Sequence, residues 1–388
     1  MRPASFLLTS SLAALLCVIA MAPQAAPITP THDDEAIETL PAVTGSRAEA
    51  RRMRRQLAQT PRDPALALAL AKRYLDQAHE SGDPRFAGMA MSAIEPWRDD
   101  ANIPDDVLQM RANLQQYLHE FDPAAASLQR LVARPGAPRP QAWLTLATVR
   151  RVQGRYADSD AACRQVASAG SALHANACLA ENAALRGDVD RARAAFVALL
   201  ADTRLAVTTR VWLLTSLAEL EQRAGRASAA EASFRAALKL EQDPYATLSY
   251  ADFLIEQKRP AQALTVLKGQ ARSDAVLLRL AIAGTHAKAP TAAADVAEMR
   301  ERISLANERP DAKVFHGREQ AMFALAVDGD AASALELARG NVAKQREPLD
   351  LLVLAQAARA SGQAAAVEQA KRLTGEIGLV DQRIKAIL

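Results

Sequence analysis

The residues able to do chemistry in this chain are few and widely spread. None of the six histidines has a second at metal-binding spacing, and there is no HExxH motif. No P-loop, no GxGxxG after a strand and no GxSxG elbow occurs either. We expect His316-Gly317-Arg318-Glu319 to cap and anchor a predicted helix. The sequence therefore indicates neither an enzyme nor a bound cofactor or metal. The histidines are His32, His79, His119, His174, His286 and His316.

Two cysteines are placed so that they could form a disulfide. Cys163 falls late in one predicted helix and Cys178 falls in the next, with a turn near Ala169-Gly170 between them. Both lie about seven residues from that turn, which puts them at similar height on antiparallel helices. In an oxidising compartment we expect them to form a structural disulfide. The alternative is two small buried thiols that each fill a gap in the core.

The overall composition predicts an all-α protein. Half of the residues are hydrophobic but only 4% are aromatic, and Ala and Leu, the strongest helix formers, are abundant. The net charge is +3, from 47 basic and 44 acidic residues, which carries no signature of nucleic-acid or membrane-surface binding. The one basic cluster, residues 51–55, is expected to be a solvated helix face, with an acidic docking partner as the alternative.

Residues 1–26 have the layout of a secretory signal peptide. Arg2 supplies a positive charge, and no charged residue occurs from Phe6 to Ala22. Cys17 follows a leucine rather than the small residue of a lipoprotein site, so we interpret it as part of the apolar run. Residues 27–46 are rich in proline and acidic residues and predict a disordered leader. We therefore expect an exported protein, periplasmic in a Gram-negative bacterium. An uncleaved N-terminal anchor facing the periplasm is the alternative.

A repeat organises the chain after this leader. Five alanines recur at spacings of 35, 33, 38 and 33 residues, and twelve residues after each stands another small residue. A larger apolar residue follows four positions later, and in three of the units glycine marks a turn between the two small positions. Such spacing predicts pairs of short helices that pack closely at the small residues and must stack to bury their apolar faces. The five alanines are Ala112, Ala147, Ala180, Ala218 and Ala251.

This pattern resembles the tetratricopeptide repeat. The most similar segments are Trp143-x-x-Leu146-Ala147 with Gln153-Gly154-Arg155-Tyr156, and Leu217-Ala218 with Gly225, Ala230, Phe234 and Ala237. The resemblance implies an α-solenoid, a right-handed superhelix of stacked antiparallel helix pairs, over residues 47–388. Its clearest repeats span 106–270 and its irregular ones span 271–388. We expect about eight pairs from Asp63 onward, with the arrangement of residues 284–315 the least determined.

The resemblance also implies where a partner binds. In such solenoids the first helices line a groove, and the residue after each repeat alanine faces it. Three successive units then offer carboxylates, with aromatic residues six or seven positions earlier. This pattern favours a partner with a basic segment, held by charge and stacking. The alternative is ordinary groove polarity. The predicted groove residues are Glu181, Glu219, Asp252, His174, Trp212 and Tyr245.

The function that these features favour is an exported, non-catalytic scaffold or adaptor that binds a protein or peptide in its concave groove. One alternative is a helical-toroid enzyme acting on a polysaccharide, which five Tyr and three Trp residues make a poor match. A helical-repeat RNA binder is less favoured still, because phosphates need a basic track and this groove is predicted to be acidic.

Overall fold

A computed structural model describes residues 45–81, 83–308 and 317–388. The chain divides into two units, residues 1–49 and 50–388. The predicted signal peptide, almost all of the predicted leader and two histidines, His32 and His316, lie outside the described residues. The interpretations of these segments therefore stay predictions.

All regular elements in the described part are helical, which confirms the predicted fold class. After α1, helices α2–α19 follow one another as nine pairs joined by short turns, against about eight predicted. One of these pairs, α14 and α15, occupies most of the stretch that the sequence left least determined. The helices are α1 (Gly45–Gln59), α2 (Pro64–Ser81), α3 (Pro84–Ala93), α4 (Asp105–Tyr117), α5 (Phe121–Val132), α6 (Pro140–Val152), α7 (Tyr156–Ser168), α8 (Ala172–Leu185), α9 (Val189–Leu200), α10 (Val207–Arg223), α11 (Ala227–Leu240), α12 (Pro244–Glu256), α13 (Pro260–Leu267), α14 (Asp274–Ala287), α15 (Ala292–Asn307), α16 (Gly317–Phe323), α17 (Ala331–Val342), α18 (Pro348–Ala360), α19 (Ala364–Ile377) and α20 (Gln382–Ile387).

The residues that define the repeat form the core between the helices. All five repeat alanines are at most 4% exposed. The bulky position of the second helix holds Phe196 in α9 and Phe234 in α11, and both are fully buried. Burial of each such phenylalanine contributes about 2–3 kcal/mol. A larger residue at an alanine position would overpack the helix contact, which is why the sequence keeps these positions small.

The turn between the two helices of a pair needs a left-handed residue. Lys258 stands where the three preceding units have Gly154, Gly187 and Gly225, and its φ is +59°. The turn between α12 and α13 therefore keeps its conformation with a lysine, at a cost of about 1–2 kcal/mol.

The C-terminal third closes back onto the central repeats. The hydrophobic cluster formed by α16–α20 also contains Tyr156 of α7 and Leu185 of α8. The backbone N–H of Arg346 donates to the carbonyl of Val152 at 2.7 Å. The sequence did not determine whether this third continues the solenoid or returns, and in the structure it returns.

None of the helices among the described residues is both long and apolar enough to span a bilayer.

Candidate functional site

An acidic cavity lies along the first helices of the central repeats. It has a volume of about 670 Å³ and is lined by residues of α6, α8, α10 and α12 together with residues of α14, α16, α18 and α20. Five of the six predicted groove residues line it: Glu181, Trp212, Glu219, Tyr245 and Asp252. Its eight acidic residues exceed its five basic ones, so the cavity has a net negative charge. The charged residues are Glu181, Glu219, Glu241, Asp243, Asp252, Glu256, Glu319, Glu347, Arg151, Arg223, Arg279, Arg318 and Arg383.

Tyr245, at the start of α12, is the most exposed large hydrophobic residue of the described chain, at 63%. Tyr245 also lines the acidic cavity. Its hydroxyl donates to Glu219 Oε1 at 2.7 Å, which fixes the position of the ring. An aromatic ring held in this way inside a concave surface is available to stack on a ligand.

Glu219 of α10 is the carboxylate at the centre of this arrangement. It accepts hydrogen bonds from Tyr245 and from the Ser249 hydroxyl, the latter at 3.1 Å, and Arg223 lies 4.0 Å away. Burial raises the pKa of Glu219, and Arg223 opposes the shift. The negative charge of Glu219 beside the Tyr245 hydroxyl raises the pKa of that hydroxyl well above its usual value. A cation entering here would meet a desolvated carboxylate beside an aromatic ring.

The other two predicted carboxylates are engaged with arginines of the same chain. Glu181 pairs with Arg151 and also accepts from the Ser216 hydroxyl at 2.8 Å. Asp252 pairs with Arg279 at 2.6 Å, and both side chains are largely buried. The open acidic stripe inferred from the sequence is thus partly neutralised within the chain, and the negative charge of the cavity comes from its whole lining.

These arginines were not identified from the sequence as partners of the carboxylates, for different reasons. Arg223 stands four residues after Glu219 on one helix, and this spacing was visible in the sequence. Arg151 and Arg279 reach their carboxylates from neighbouring helices, 30 and 27 residues away. Pairing them from the sequence would have required the stacking register of the repeats.

The sixth predicted residue, His174, does not line the acidic cavity. Its ring stacks on Trp212, with centroids 5.8 Å apart and an interplanar angle of 19°. The Ser171 hydroxyl lies 2.8 Å from its Nδ1. His174 therefore supports Trp212, which does line the cavity.

A second cavity, which we call the neutral cavity, adjoins the first. It has a volume of about 630 Å³ and shares Thr148, Ala275 and Glu319 with the acidic cavity. Its walls combine amide and hydroxyl side chains with apolar ones. The two groups are Asn113, Gln116, Gln141, Thr145, Thr148 and Gln320, and Leu75, Leu144, Met299 and Ile303.

The ionisable groups of the neutral cavity carry little unbalanced charge. Arg302 donates to Asp274 at 2.7 Å. Burial lowers the pKa of His79, with Asp76 opposing, so the imidazole is neutral at pH 7. Its ring packs edge-on against Tyr117 at 4.9 Å. This cavity is suited to an uncharged segment with both polar and apolar groups.

Cys163 of α7 and Cys178 of α8 are joined by a disulfide in the structure, with their Cα atoms 5.8 Å apart. Both are buried in the helix interface, beside the side chain of Asn182. The bridge ties one repeat to the next, and its Cys178 lies three residues before Glu181 on α8.

No group of three or more metal-ligating side chains occurs within the three described ranges.

No protein-family model and no curated protein sequence matches the chain. Among solved structures, it is similar to a tetratricopeptide repeat protein from Parabacteroides merdae ATCC 43184, with 14% identity over 60% of this chain and 89% of that one, and a TM-score of 0.48. It is also similar to a Rap protein complexed with Competence and Sporulation Factor, with 11% identity over 88% and 94% of the two chains and a TM-score of 0.48.

PilF of Pseudomonas aeruginosa is a third similar structure, with 16% identity over 51% and 90% of the two chains and a TM-score of 0.37. Identities and scores this low carry no conclusion about a partner or an activity. The helix pairs of this chain themselves show that its architecture is a tetratricopeptide-like helical repeat.

Proposed function

We propose that this protein is a non-catalytic scaffold or adaptor that binds a protein or peptide segment in the adjoining acidic and neutral cavities. The observation that carries the proposal is Tyr245. A large aromatic side chain, 63% exposed and fixed by Glu219 inside a concave surface, is costly to leave in water and is typical of a binding anchor.

The charge of the two cavities supports a partner of mixed character. The acidic cavity has more carboxylates than arginines and favours a segment bearing Lys or Arg. The neutral cavity, lined by amides and apolar side chains, favours uncharged residues. Because the two cavities share Thr148, Ala275 and Glu319, one extended segment with a basic half and an uncharged half could fill both.

Export is part of the proposal. The predicted signal peptide at residues 1–26 supports it, and so does the Cys163–Cys178 disulfide, since such bridges persist in oxidising compartments. We place the protein in the periplasm of a Gram-negative bacterium, either released or held by its N-terminal segment.

The test is a peptide selection against the purified full chain, followed by measurement of affinity for the enriched sequences. We expect enriched peptides to contain a basic half, and their binding to weaken between 50 and about 500 mM salt because screening reduces charge attraction. Tyr245→Ala should weaken binding at least tenfold, an effect of about 1.4 kcal/mol. Val197→Ala is the matched control, since Val197 is 53% exposed on the second helix α9.

Equal binding by Tyr245→Ala and Val197→Ala would place the site elsewhere. Tight, salt-sensitive binding of single-stranded RNA would instead favour the RNA-binding alternative. Cleavage of a polysaccharide by the purified chain would favour the toroid enzyme.

A further inference from the structure

The last residues of the chain cross the turns of three successive repeats. A Cβ atom placed on Gly154 would lie 2.9 Å from Ile377 Cγ2, and one on Gly187 would lie 3.0 Å from Val380 Cγ2. In the third turn, a Cβ atom placed on Gly225 would have Gln382 Cβ as its nearest neighbour, at 3.8 Å. The segment 377–382 thus runs past the α6–α7, α8–α9 and α10–α11 turns in order.

This segment, from the last residue of α19 to the first residue of α20, contacts the central repeats through both its backbone and its side chains. The backbone N–H of Val380 donates to the carbonyl at the end of α8, that of Leu185, at 2.8 Å. The side chains of Ile377 and Val380 cover glycine turns, where no side chain of the repeat stands in the way. The segment therefore contacts the central repeats through one backbone hydrogen bond and through apolar side chains seated on two glycine turns.

The residue that follows this segment, Arg383, places a positively charged side chain in the acidic cavity. Arg383 Nη1 donates to Glu256 Oε1 and Oε2 at 2.9 and 3.2 Å, and Arg383 lines the cavity together with Tyr245 and Glu219. Asp381 caps the start of α20 and orients the guanidinium through a hydrogen bond of 2.7 Å. The acidic cavity is therefore already occupied, at one position, by a basic side chain of the same chain.

One buried polar group under this C-terminal third lacks a hydrogen-bond partner. The hydroxyl of Tyr156 is buried beneath the C-terminal cluster and has no partner among the described residues. Burial also raises the pKa of Glu256, although Arg383 opposes the shift. An interface that buries an unpaired hydroxyl and a desolvated carboxylate loses less on opening than a fully paired one would.

We propose that residues 377–388 are an intrachain ligand, which docks reversibly on the three turns and competes with the partner for Glu256 through Arg383. The competition rests on the proposed function, while the docking itself does not. The arrangement also defines what can replace the segment. A competitor needs an apolar residue, a second apolar residue three positions later and an arginine three positions after that, as at Ile377, Val380 and Arg383.

The test uses a fluorescent synthetic peptide of residues 377–388 and the full-length chain. In the wild type the tethered segment is present at millimolar effective concentration and should exclude the peptide. The double variant Val380→Asp/Arg383→Ala loses both anchors, so the peptide should bind it at least tenfold more tightly than it binds the wild type. The control Arg372→Ala, an exposed arginine on α19, should behave as the wild type does.

A peptide in which the arginine equivalent to Arg383 is alanine should fail to bind the double variant. Equal affinity of the original peptide for the wild type and the double variant, or no binding to either, overturns the proposal. Hydrogen exchange in the unaltered chain decides the matter if the variant does not fold. Reversible docking predicts that the Val380 amide exchanges faster than the core amides of α10. If the Val380 amide and the core amides of α10 exchange at the same rate, the contact is permanent.

The external partner plays no role in either measurement. If the peptide binds but no outside partner is found, the docking stands and the proposed function fails. If a partner binds while the peptide does not, the reverse holds.

Discussion

Arg383 and Glu256 stand 127 positions apart in the chain, and their side chains form an ion pair at 2.9 Å. The pair joins α20 to the end of α12, and its two side chains are 19% and 21% exposed. Gln222 of α10 donates to the same carboxylate at 2.6 Å. Glu256 is therefore the point where the C-terminal segment, two first helices and the acidic cavity meet.

The effect on stability of the contact between Gly187 and Val380 should be measurable separately from the backbone strain of the turn. Gly187 and Gly170 both have φ of +90°, but only Gly187 has the C-terminal segment against it. Alanine at either position should cost about 1–2 kcal/mol of backbone strain. Gly187→Ala should lower the free energy of unfolding by about 1 kcal/mol more, because its Cβ overpacks against Val380. Urea unfolding measures the loss for Gly187→Ala and for Gly170→Ala. Equal losses of unfolding free energy in the two variants would contradict the close contact with Val380.

The buried pair of Asp252 and Arg279 should be needed for stability. Their side chains are 15% and 9% exposed, so Asp252→Ala leaves a charged guanidinium without its partner. We expect the free energy of unfolding to fall by about 3–5 kcal/mol. Glu241→Ala, an exposed residue lining the same cavity, should change it by less than about 0.5 kcal/mol. The double variant Asp252→Leu/Arg279→Met should recover most of the loss, and failure to recover would show that the pair does more than balance charge.

Reduction of the disulfide should destabilise the chain without unfolding it. The bridge closes a loop with a sequence separation of 15, which corresponds to about 3 kcal/mol. Urea unfolding with and without reductant should show this difference in the wild type and none in Cys163→Ser/Cys178→Ser. Mass analysis after alkylation is the independent check. Labelling of both cysteines before any reduction would show that they are free thiols.

Tyr156 should make the protein sensitive to alkaline pH. Burial raises the pKa of its phenol from 10.0 to about 12. The folded state therefore holds this proton while the unfolded state releases it. The stability contribution is complete below pH 10 and is lost as the pH rises to 12, by about 1.4 kcal/mol per unit.

Tyr156→Phe should remove this part of the pH dependence, because phenylalanine has no proton to lose. At pH 7 the substitution should be neutral or slightly stabilising, since the hydroxyl has no partner among the described residues. Unfolding measured from pH 8 to about 11.5 compares the two chains. Parallel curves would mean that the phenol titrates as it does in water.

Much of the fold could be predicted because its determinants are local. The repeat alanines, the turn glycines and the bulky second-helix residues act within one helix pair, and spacings of 33 to 38 residues place them in the sequence. The two cysteines flank one turn, so their proximity followed from helix length alone. At Lys258, where the repeat pattern has glycine, the turn keeps its left-handed conformation.

The occupancy of the groove could not be predicted, because it depends on contacts far apart in sequence. The groove residues were found by their place in the repeat, but their ion-pair partners came from neighbouring units. Arg383 carries no motif that marks it as a partner for Glu256. The return of α16–α20 depends on the curvature of the stacked repeats, which alanine-rich packing does not encode in any single residue.

The central claim is that the concave cavity around Tyr245 holds a protein segment. Its most direct test is photo-crosslinking in cells from a benzoyl-phenylalanine placed at position 245, with position 197 on the outer helix α9 as the control. We predict that position 245 captures one recurrent protein, that its crosslinked residue lies in a segment containing Lys or Arg, and that position 197 does not capture it. Capture of the same proteins from both positions, or of RNA or glycan from position 245, would contradict the account.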